Sequence, residues 1–296
     1  MTTAATNLSA ISRLFSSTVL RELAEKGRSP LFARLLADSG LMDTQLAAGT
    51  VGASFDSAFA ALRKAGGRDE YVYKSALTHN ILLGRHSLGT ASLLTEFRAG
   101  LCKADVAILN GTSTVYEIKS ERDTLSRLEN QVQNYRKVFA KIYIVAAEPF
   151  IDQVLELTDV DVGVMCLARW NRVNTVREAV DRADAVCPTT IFDSLRLAEA
   201  IMILDSFGAE IPVLPNTKMR EAVKQQFVLL PPQLVHAEMV RVLKRTRSLA
   251  PLRDLVDQLP HSLKTAALST RLRLKDHQRL LTTLSTPTHQ AMEWAI

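Results

Sequence analysis

The feature that most constrains the fold is a pair of apolar β-type segments that flank Asn110-Gly111. The segments are ADVAIL (104–109) and TVYEIKS (114–120), and a third, LLTEFRAG (93–100), precedes them. Their apolar residues alternate or cluster as they do in strands. Asn-Gly between two such segments is a strong hairpin signal. The sequence therefore predicts three consecutive strands, the last two joined by a short turn.

Helical and strand-like segments alternate around these strands. EYVYKSALTHNILL (70–83) predicts a helix before them, and residues 123–139 predict one after them, with Asp123 as its N-cap. KIYIVAA (141–147) and VGVMCLA (162–168) are too short for typical helices and rich in Val and Ile, which favours buried strands. The predicted order is helix, three strands, helix and two strands, which is a mixed α/β core.

Both flanks of this core carry helical patterns. Residues 8–65 show apolar residues at three- and four-residue spacing, and the segment after Pro188 is helical with breaks at prolines. Gly66-Gly67 is a plausible boundary. The predicted fold class is α/β (α+β), a mixed sheet flanked by helices with helical regions at both ends. The predicted domains are residues 1–67 (helical), 68–187 (the core) and 188–296 (helical).

Composition narrows the class of protein. Of the 296 residues, 47% are hydrophobic and 23% charged, as in ordinary globular proteins. No apolar run approaches the roughly 18 residues that a membrane span needs, and the N-terminus lacks the pattern of a secretory signal. Cys102, Cys166 and Cys187 have no CxxC spacing, which fits reduced thiols. We therefore expect a cytoplasmic protein without a membrane segment.

Positive charge is concentrated near the C-terminus. The net charge is +5, but residues 218–279 hold thirteen Lys and Arg against five Asp and Glu, or +8. Such an excess suits a polyanionic partner, because Lys and Arg that contact phosphates release counterions. Within RVLKRTRSL the predicted DNA-backbone contacts are Arg241, Lys244, Arg245 and Arg247. The alternative is that these residues form the solvated faces of a helical bundle.

The hairpin register follows from its apolar residues. If Val106 and Ile108 share a face with Tyr116 and Ile118, paired residue numbers must sum to an even value. A two-residue Asn-Gly turn would give an odd sum. The sequence therefore predicts a three-residue or bulged connection around residues 110–112.

This register also brings charges together. Asp105 is placed across from or diagonal to Glu117, and Lys119 shares the face of Glu117, which we expect to lie at the edge of the core. Two close carboxylates repel unless a cation lies between them, and Mg²⁺ is commonly held by one or two carboxylates. Lys119 could then orient water or stabilise negative charge on a phosphate. The alternative is a solvent-facing cluster of charges on an ordinary sheet.

These elements resemble the PD-(D/E)XK phosphodiesterases, also called the restriction-endonuclease-like superfamily. Asp105 lies on the second strand and Glu117-Ile118-Lys119 on the third, while Gln131 and Tyr135 are similar to the QxxxY element of the RecB-like branch. The segment 97–120 also resembles strands of archaeal Holliday-junction resolvases. Residues 71–148, about a quarter of the chain, resemble a poorly characterised bacterial family of this fold.

The resemblance implies a Mg²⁺- or Mn²⁺-dependent nuclease that hydrolyses DNA, in phage defence or DNA processing. It implies that Asp105, Glu117 and the carbonyl of Ile118 hold the metal, that Lys119 activates water, and that Gln131 and Tyr135 steady the site. The sequence departs from the family at the PD half-motif, which reads Ala104-Asp105. A further ligand is left open, and the options are Glu70, Glu96, His79 and His86.

Two other functions remain open from the sequence. One is a catalytically inactive protein of this fold that binds nucleic acid or regulates a partner. The other is a member of a defence or toxin–antitoxin-like pair, with a protein partner bound by the C-terminal helices. The apolar helix LRLAEAIMIL (195–204) fits either the core or a homodimer face.

Overall fold

The computed structural model describes residues 7–64, 68–168, 171–212 and 214–295. The chain divides into two compact units. The first combines the chain up to His79 with the chain from Ala250 onward, and the second is Asn80–Leu249. This division differs from the predicted domains, because the C-terminal helices are shared between both units. The predicted boundary at Gly66-Gly67 lies outside the described residues.

The second unit is built on a mixed sheet whose six described strands follow the chain order. The strands are β1 (Ser92–Ala99), β2 (Cys102–Asn110), β3 (Thr112–Lys119), β4 (Lys141–Ala146), β5 (Gly163–Leu167) and β6 (Val173–Arg177). β3, β4 and β5 are parallel, whereas the β1–β2, β2–β3 and β5–β6 pairs are antiparallel. The mixed α/β class is therefore confirmed.

The register of the β2–β3 hairpin is the predicted one. Val106 pairs with Tyr116, Leu109 with Ser113 and Asn110 with Thr112, so the sums are even and Gly111 alone lies between the paired residues. Gly111 lies in this connection with φ of 73°, a conformation that glycine adopts without a Cβ penalty. The predicted even-sum register is confirmed, and a two-residue Asn-Gly turn is excluded, because the connection is centred on Gly111.

Seven α-helices belong to the second unit in the described residues. They are α7 (Leu83–Arg85), α8 (Leu128–Tyr135), α9 (Ile151–Leu157), α10 (Pro188–Ser194), α11 (Leu197–Ser206), α12 (Asn216–Phe227) and α13 (Pro232–Thr246). Tyr135 and Phe139, at and just after the end of α8, join Phe192 of α10, Phe227 of α12 and Met239 of α13 in one hydrophobic core. The same core contains Leu94, Ala107, Val115 and Ile144 from the sheet.

The first unit is helical in the described residues. Its helices are α1 (Leu8–Leu14), α2 (Ser17–Lys26), α3 (Pro30–Asp38), α4 (Thr44–Ala48), α5 (Val51–Lys64), α6 (Glu70–Leu77), α14 (Arg253–Gln258), α15 (Lys264–Ser269), α16 (His277–Leu284) and α17 (Thr288–Met292). A π-helical segment, Thr78–Leu82, follows α6. Side chains cap several of these helices: Ser29, for example, accepts a hydrogen bond from the Phe32 amide at 3.0 Å.

One predicted orientation was wrong. Glu117 and Lys119 were expected at the edge of the core, yet their exposed fractions are 2% and 4%. They alternate with Tyr116 and Ile118, so they share the face of Val115, which carries the hydrophobic core. Tyr116 and Ile118, on the opposite face, are also buried. The physical reason is that β3 is an interior strand with a parallel neighbour, and such strands are usually covered on both faces.

Two element boundaries also differ from the prediction. The helix expected over 123–139 is confined to α8, because the Asp123 carboxylate accepts hydrogen bonds from the amide and the hydroxyl of Ser120, at 2.8 and 2.6 Å. Asp123 therefore closes a turn before the helix and is not its N-cap. β6 was not predicted, since its sequence VNTVR is short and exposed. No helix among the described residues is both long enough and apolar enough to cross a bilayer.

We predict that Gly163→Ala destabilises the second unit by about 1 to 3 kcal/mol, the usual range for overpacking. A Cβ on Gly163 would overlap the ring of Tyr143 and lie 2.9 Å from the Ala179 nitrogen. The free energy of unfolding in urea measures the effect. In a Tyr143→Leu background the same change should be less destabilising; equal losses in both backgrounds would contradict this explanation.

Candidate functional site

A closed hydrogen-bond network surrounds the Glu117 carboxylate. Its Oε1 accepts from the Lys119 ammonium at 2.9 Å and from the Gln131 amide at 2.5 Å, and its Oε2 accepts from the Tyr135 hydroxyl at 2.6 Å. Lys119 also donates to Gln131 Oε1 at 2.8 Å. Each charged or polar group of the network therefore has a partner inside the protein.

Local structure explains why these four side chains meet. Glu117 and Lys119 are two residues apart on β3, so both point to the same face. Gln131 and Tyr135 are four residues apart on α8, so both lie on one side of that helix. The network thus ties β3 to α8, and the predicted set of Glu117, Lys119, Gln131 and Tyr135 is brought together as its spacing indicated.

Asp105 lies next to this network. Its Oδ2 accepts a hydrogen bond from the Ile118 amide at 2.8 Å. The backbone pairing of β2 with β3 ends at Val106 and Tyr116, so the Asp105 side chain continues the connection between the strands where the ladder stops. Asp105 therefore positions the backbone next to Glu117.

Glu96 and Glu70 are the further acidic residues predicted as ligands. Glu96 is exposed on β1, has φ of 53°, and extends a carboxylate oxygen to within 4.8 Å of one from Asp105. Glu70 belongs to the other unit, where it begins α6 and pairs with Lys74 at 2.5 Å. Metal ligation by Asp105, Glu117, Ile118, Glu70 and Glu96 stays a prediction.

The donor set around Glu117 does not favour a divalent cation as it stands. Mg²⁺ and Mn²⁺ need carboxylate oxygens that are free to coordinate, but both oxygens of Glu117 accept hydrogen bonds from the protein. The ammonium of Lys119 already supplies the positive charge next to this carboxylate. A metal ion bound by Glu117 would have to share these oxygens with the ammonium and the Gln131 and Tyr135 donors.

Burial raises the pKa of one member of the network and of one cysteine near it. Burial, with the nearby charge of Glu117, raises the pKa of Tyr135 far above its usual value, so its hydroxyl stays a donor. Burial also raises the pKa of Cys102, and the Glu117 charge adds to the effect. Cys102 therefore carries a neutral thiol and is not an activated nucleophile.

The two candidate histidine ligands are engaged elsewhere. The His79 ring stacks on His261 with centroids 3.5 Å apart, and its Nε2 lies 3.2 Å from the His261 carbonyl oxygen. His86 Nδ1 lies 2.8 Å from the Asn110 amide nitrogen, at the turn of the β2–β3 hairpin. Asn110 is five residues from Asp105, or roughly 16 Å along a strand. His86 is therefore not a ligand partner of Asp105.

The four predicted DNA contacts on or just after α13 are unequal. Arg247 donates to both oxygens of the buried Glu199 at 2.9 and 2.8 Å and lies over the Phe97 ring. Arg241 pairs with Glu238 on the same helix at 2.5 Å. Lys244 and Arg245 make no ion pair among the described residues, and Arg245 is exposed. Of the four predicted contacts, Lys244 and Arg245 are therefore the cations whose charge is most available to a phosphate.

Sequence reasoning missed two buried polar contacts that hold the C-terminal helices. The Ser113 hydroxyl lies 2.7 Å from His236 Nε2, which connects β3 to α13, and Ala140 donates its amide to Ser113 at 3.1 Å. Burial lowers the pKa of His236, so it is neutral here. The other missed contact is the Glu199–Arg247 pair. The sequence did carry a signal for each contact, because His236 on α13 and Glu199 on α11 are polar residues among apolar ones. Such a residue does not indicate which side chain it contacts.

Comparison with known proteins assigns a family. The family model described as bacteriophage P4 protein cII matches residues 63–255, which is 193 of the 296 residues. The chain belongs to the bacteriophage P4 protein cII family. It is 36% identical over 85 residues to protein cII of Enterobacteria phage P4, a match that covers 29% of this chain and 31% of that protein. No solved structure gives a significant match.

Membership of the cII family corrects the assignment made from the motif. The resemblance to PD-(D/E)XK nucleases, with its RecB-like and resolvase-like features, named the wrong family, since the matching family and the similar phage protein are both cII. Membership of the cII family also contradicts the predicted function as a metal-dependent DNA nuclease. The descriptions of the chain as a nuclease and as a hydrolase were therefore wrong as well. The motif misled because Asp105, Glu117 and Lys119 do converge, but here they form contacts within the protein.

We predict that Lys119→Met lowers the free energy of unfolding by about 3 to 5 kcal/mol, because it leaves the buried Glu117 without its cation. Adding Glu117→Gln should recover part of the loss by removing the unpaired charge. Urea denaturation measures both variants, with the exposed Lys137→Met as control. An unchanged or increased stability of Lys119→Met, as often found for residues kept for activity, would contradict the structural role.

We also predict a loss of stability in mild acid from the His79–His261 pair. Burial and the neighbouring His261 lower the pKa of His79 from 6.5 to about 4, and burial lowers the pKa of His261. Below about pH 6.5 the unfolded chain gains protons that the folded unit does not, so stability is complete above that pH and declines toward pH 4. His79→Gln should flatten this decline in urea denaturation, whereas the exposed His289→Gln should not. A decline unchanged by His79→Gln would refute the assignment.

Proposed function

We propose that this chain is a regulatory protein that binds nucleic acid without cleaving it. The observation that carries the proposal is the closed network at Glu117, in which Lys119, Gln131 and Tyr135 occupy both carboxylate oxygens. A hydrolytic site needs acceptors that are open to a metal ion or water. Here the residue types that suggested hydrolysis join β3 to α8, so the unit is suited to a binding function.

The charges of the C-terminal helices support nucleic acid as the partner. Lys218 and Arg220 on α12 and Lys244 and Arg245 on α13 make no ion pair among the described residues. Cations that are not neutralised by neighbours can replace the counterions of a phosphate backbone. The sequence isoelectric point of about 9.2 agrees with this choice.

The proposal extends to the architecture of the core and to the location of the protein. The order helix, three strands, helix, strand supports a core arranged as in restriction-endonuclease-like folds. The proposal concerns this arrangement of the core alone and does not include nuclease activity. A cytoplasmic location fits a nucleic-acid-binding role.

DNA binding is tested by fluorescence anisotropy with a labelled duplex at several salt concentrations. We expect affinity to fall with salt. Replacing Lys244 and Arg245 together by Gln should reduce the slope of log K against log salt by about 0.9 for each phosphate that is no longer neutralised. Lys137→Gln, an exposed cation next to α8, is the matched control.

The same samples, incubated with Mg²⁺ or Mn²⁺, test the absence of cleavage. We expect the duplex to remain intact. Two results would overturn the proposal: an affinity that is independent of salt and of the α13 substitutions, or metal-dependent cleavage that is abolished in both Asp105→Ala and Lys119→Ala.

A further inference from the structure

The turn between β1 and β2 carries an exposed apolar side chain between two cations. Gly100 and Leu101 form a two-residue connection between the paired ends of the strands. Leu101 is 90% exposed, more than any other large apolar side chain in the described part of the chain. Arg98 and Lys103 flank the connection and are exposed as well. We call residues 98–103 the hairpin tip; it contains no Asp or Glu.

The two cations of the hairpin tip lie directly opposite each other. Arg98 pairs with Lys103 across the strands, and residues paired in this way point to the same side with Cβ atoms about 5 Å apart. Neither makes an ion pair among the described residues. The nearest acids along the chain, Glu96 and Asp105, approach each other instead, with carboxylate oxygens within 4.8 Å. Directly opposed like charges destabilise a hairpin, so an anion bound between them would relieve the repulsion.

Contacts with α8 hold the hairpin tip in place. Gly100 has φ of 60°, as the first central residue of a type II′ turn does. The Leu101 amide donates to Asn134 Oδ1 at 3.0 Å, and Asn134, which is buried, donates in turn to the Asn130 carbonyl at 2.8 Å. A Cβ on Gly100 would overlap Asn134 Oδ1. The turn is therefore held against the helix and presents Leu101 to solvent, so little ordering is needed when a ligand binds.

We infer that the hairpin tip is a second nucleic-acid contact, at which Arg98 and Lys103 bind duplex phosphates and Leu101 enters between two bases. Leu is one of the side chains that proteins insert into a base step, which unstacks it. Phosphates would neutralise the opposed cations and release counterions. A protein partner fits less well, because a standard interface takes about 800 Å² from each partner, far more than one turn offers.

This inference rests on the proposed function, since it names a further contact for the same nucleic acid. The basic end of α13 lies against the same strand: Arg247 is placed over the ring of Phe97, 5.2 Å from its centroid, and Phe97 precedes Arg98. Lys244 and Arg245 come just before Arg247 in the chain. The two groups of cations therefore belong to neighbouring elements of one unit, as two contacts of one nucleic acid require.

Insertion of Leu101 is tested with duplexes that carry 2-aminopurine in place of one adenine at different steps, because this base fluoresces more strongly when it is unstacked. We expect the wild-type chain to raise the fluorescence. Leu101→Ser should remove the rise while anisotropy still shows a bound duplex. Val160→Ser is the matched control, since Val160 is 83% exposed and lies outside the hairpin tip. Circular dichroism establishes that both variants fold.

The opposed cations are tested by salt dependence and by stability. Replacing Arg98 and Lys103 together by Gln should reduce the slope of log K against log salt by about 0.9 for each phosphate that they contact; Lys137→Gln, an exposed cation next to α8, is the control. Lys103→Glu should weaken duplex binding several-fold yet raise the urea midpoint of unfolding, because it creates a pair of opposite charges. A lower midpoint would contradict the repulsion between the two cations.

Failure of this inference is distinguishable from failure of the proposed function. If the wild-type chain shows no salt-dependent duplex binding, both fail. The inference alone fails if the duplex binds through Lys244 and Arg245 but either the Leu101-dependent rise in fluorescence or the effect of the Arg98 and Lys103 substitutions is absent. Binding to anionic phospholipid vesicles that requires Leu101, with no unstacking of the duplex, would also overturn it and assign the tip to a membrane surface.

Discussion

The buried carboxylate of Glu117 is the constraint on which the second unit depends. A charge with 2% exposure is stable only when opposite charge and hydrogen-bond donors surround it. Lys119 supplies the charge, and Gln131 and Tyr135 supply donors from α8. Because Tyr135 also belongs to the hydrophobic core, satisfying Glu117 fixes α8 over the sheet.

This arrangement changes how the motif is understood. Carboxylates and an ammonium at this spacing are the groups that a metal-dependent hydrolase needs, and also the groups that a buried ion pair needs. The two cases differ in whether the carboxylate oxygens are open. In this member of the cII family they accept from Lys119, Gln131 and Tyr135, so the motif stabilises the sheet, and the exposed surfaces of α12 and α13 become the sites of interest.

Much of the fold could be predicted because it depends on local patterns. The strands at 93–119 and 141–167, the register of the hairpin at Gly111 and the shared face of Gln131 and Tyr135 on α8 all follow from periodicity of two or about four residues. The shorter α8 and the extra strand β6 could not be predicted. The first depends on the Asp123–Ser120 hydrogen bonds, and the second on pairing with β5.

The sequence by itself determined which residues share a face: Glu117 with Lys119, Gln131 with Tyr135, and Val106 with Ile108. Backbone geometry sets these relations, and no distant contact is needed. Only the tertiary structure decided which face is covered, and by what. Three examples are the burial of Glu117 and Lys119 under α8, the Arg247–Glu199 pair and the Ser113–His236 contact. The residues in these contacts are from 2 to 123 positions apart in the chain. Such contacts depend on how helices pack onto the sheet, which periodicity along the chain does not encode.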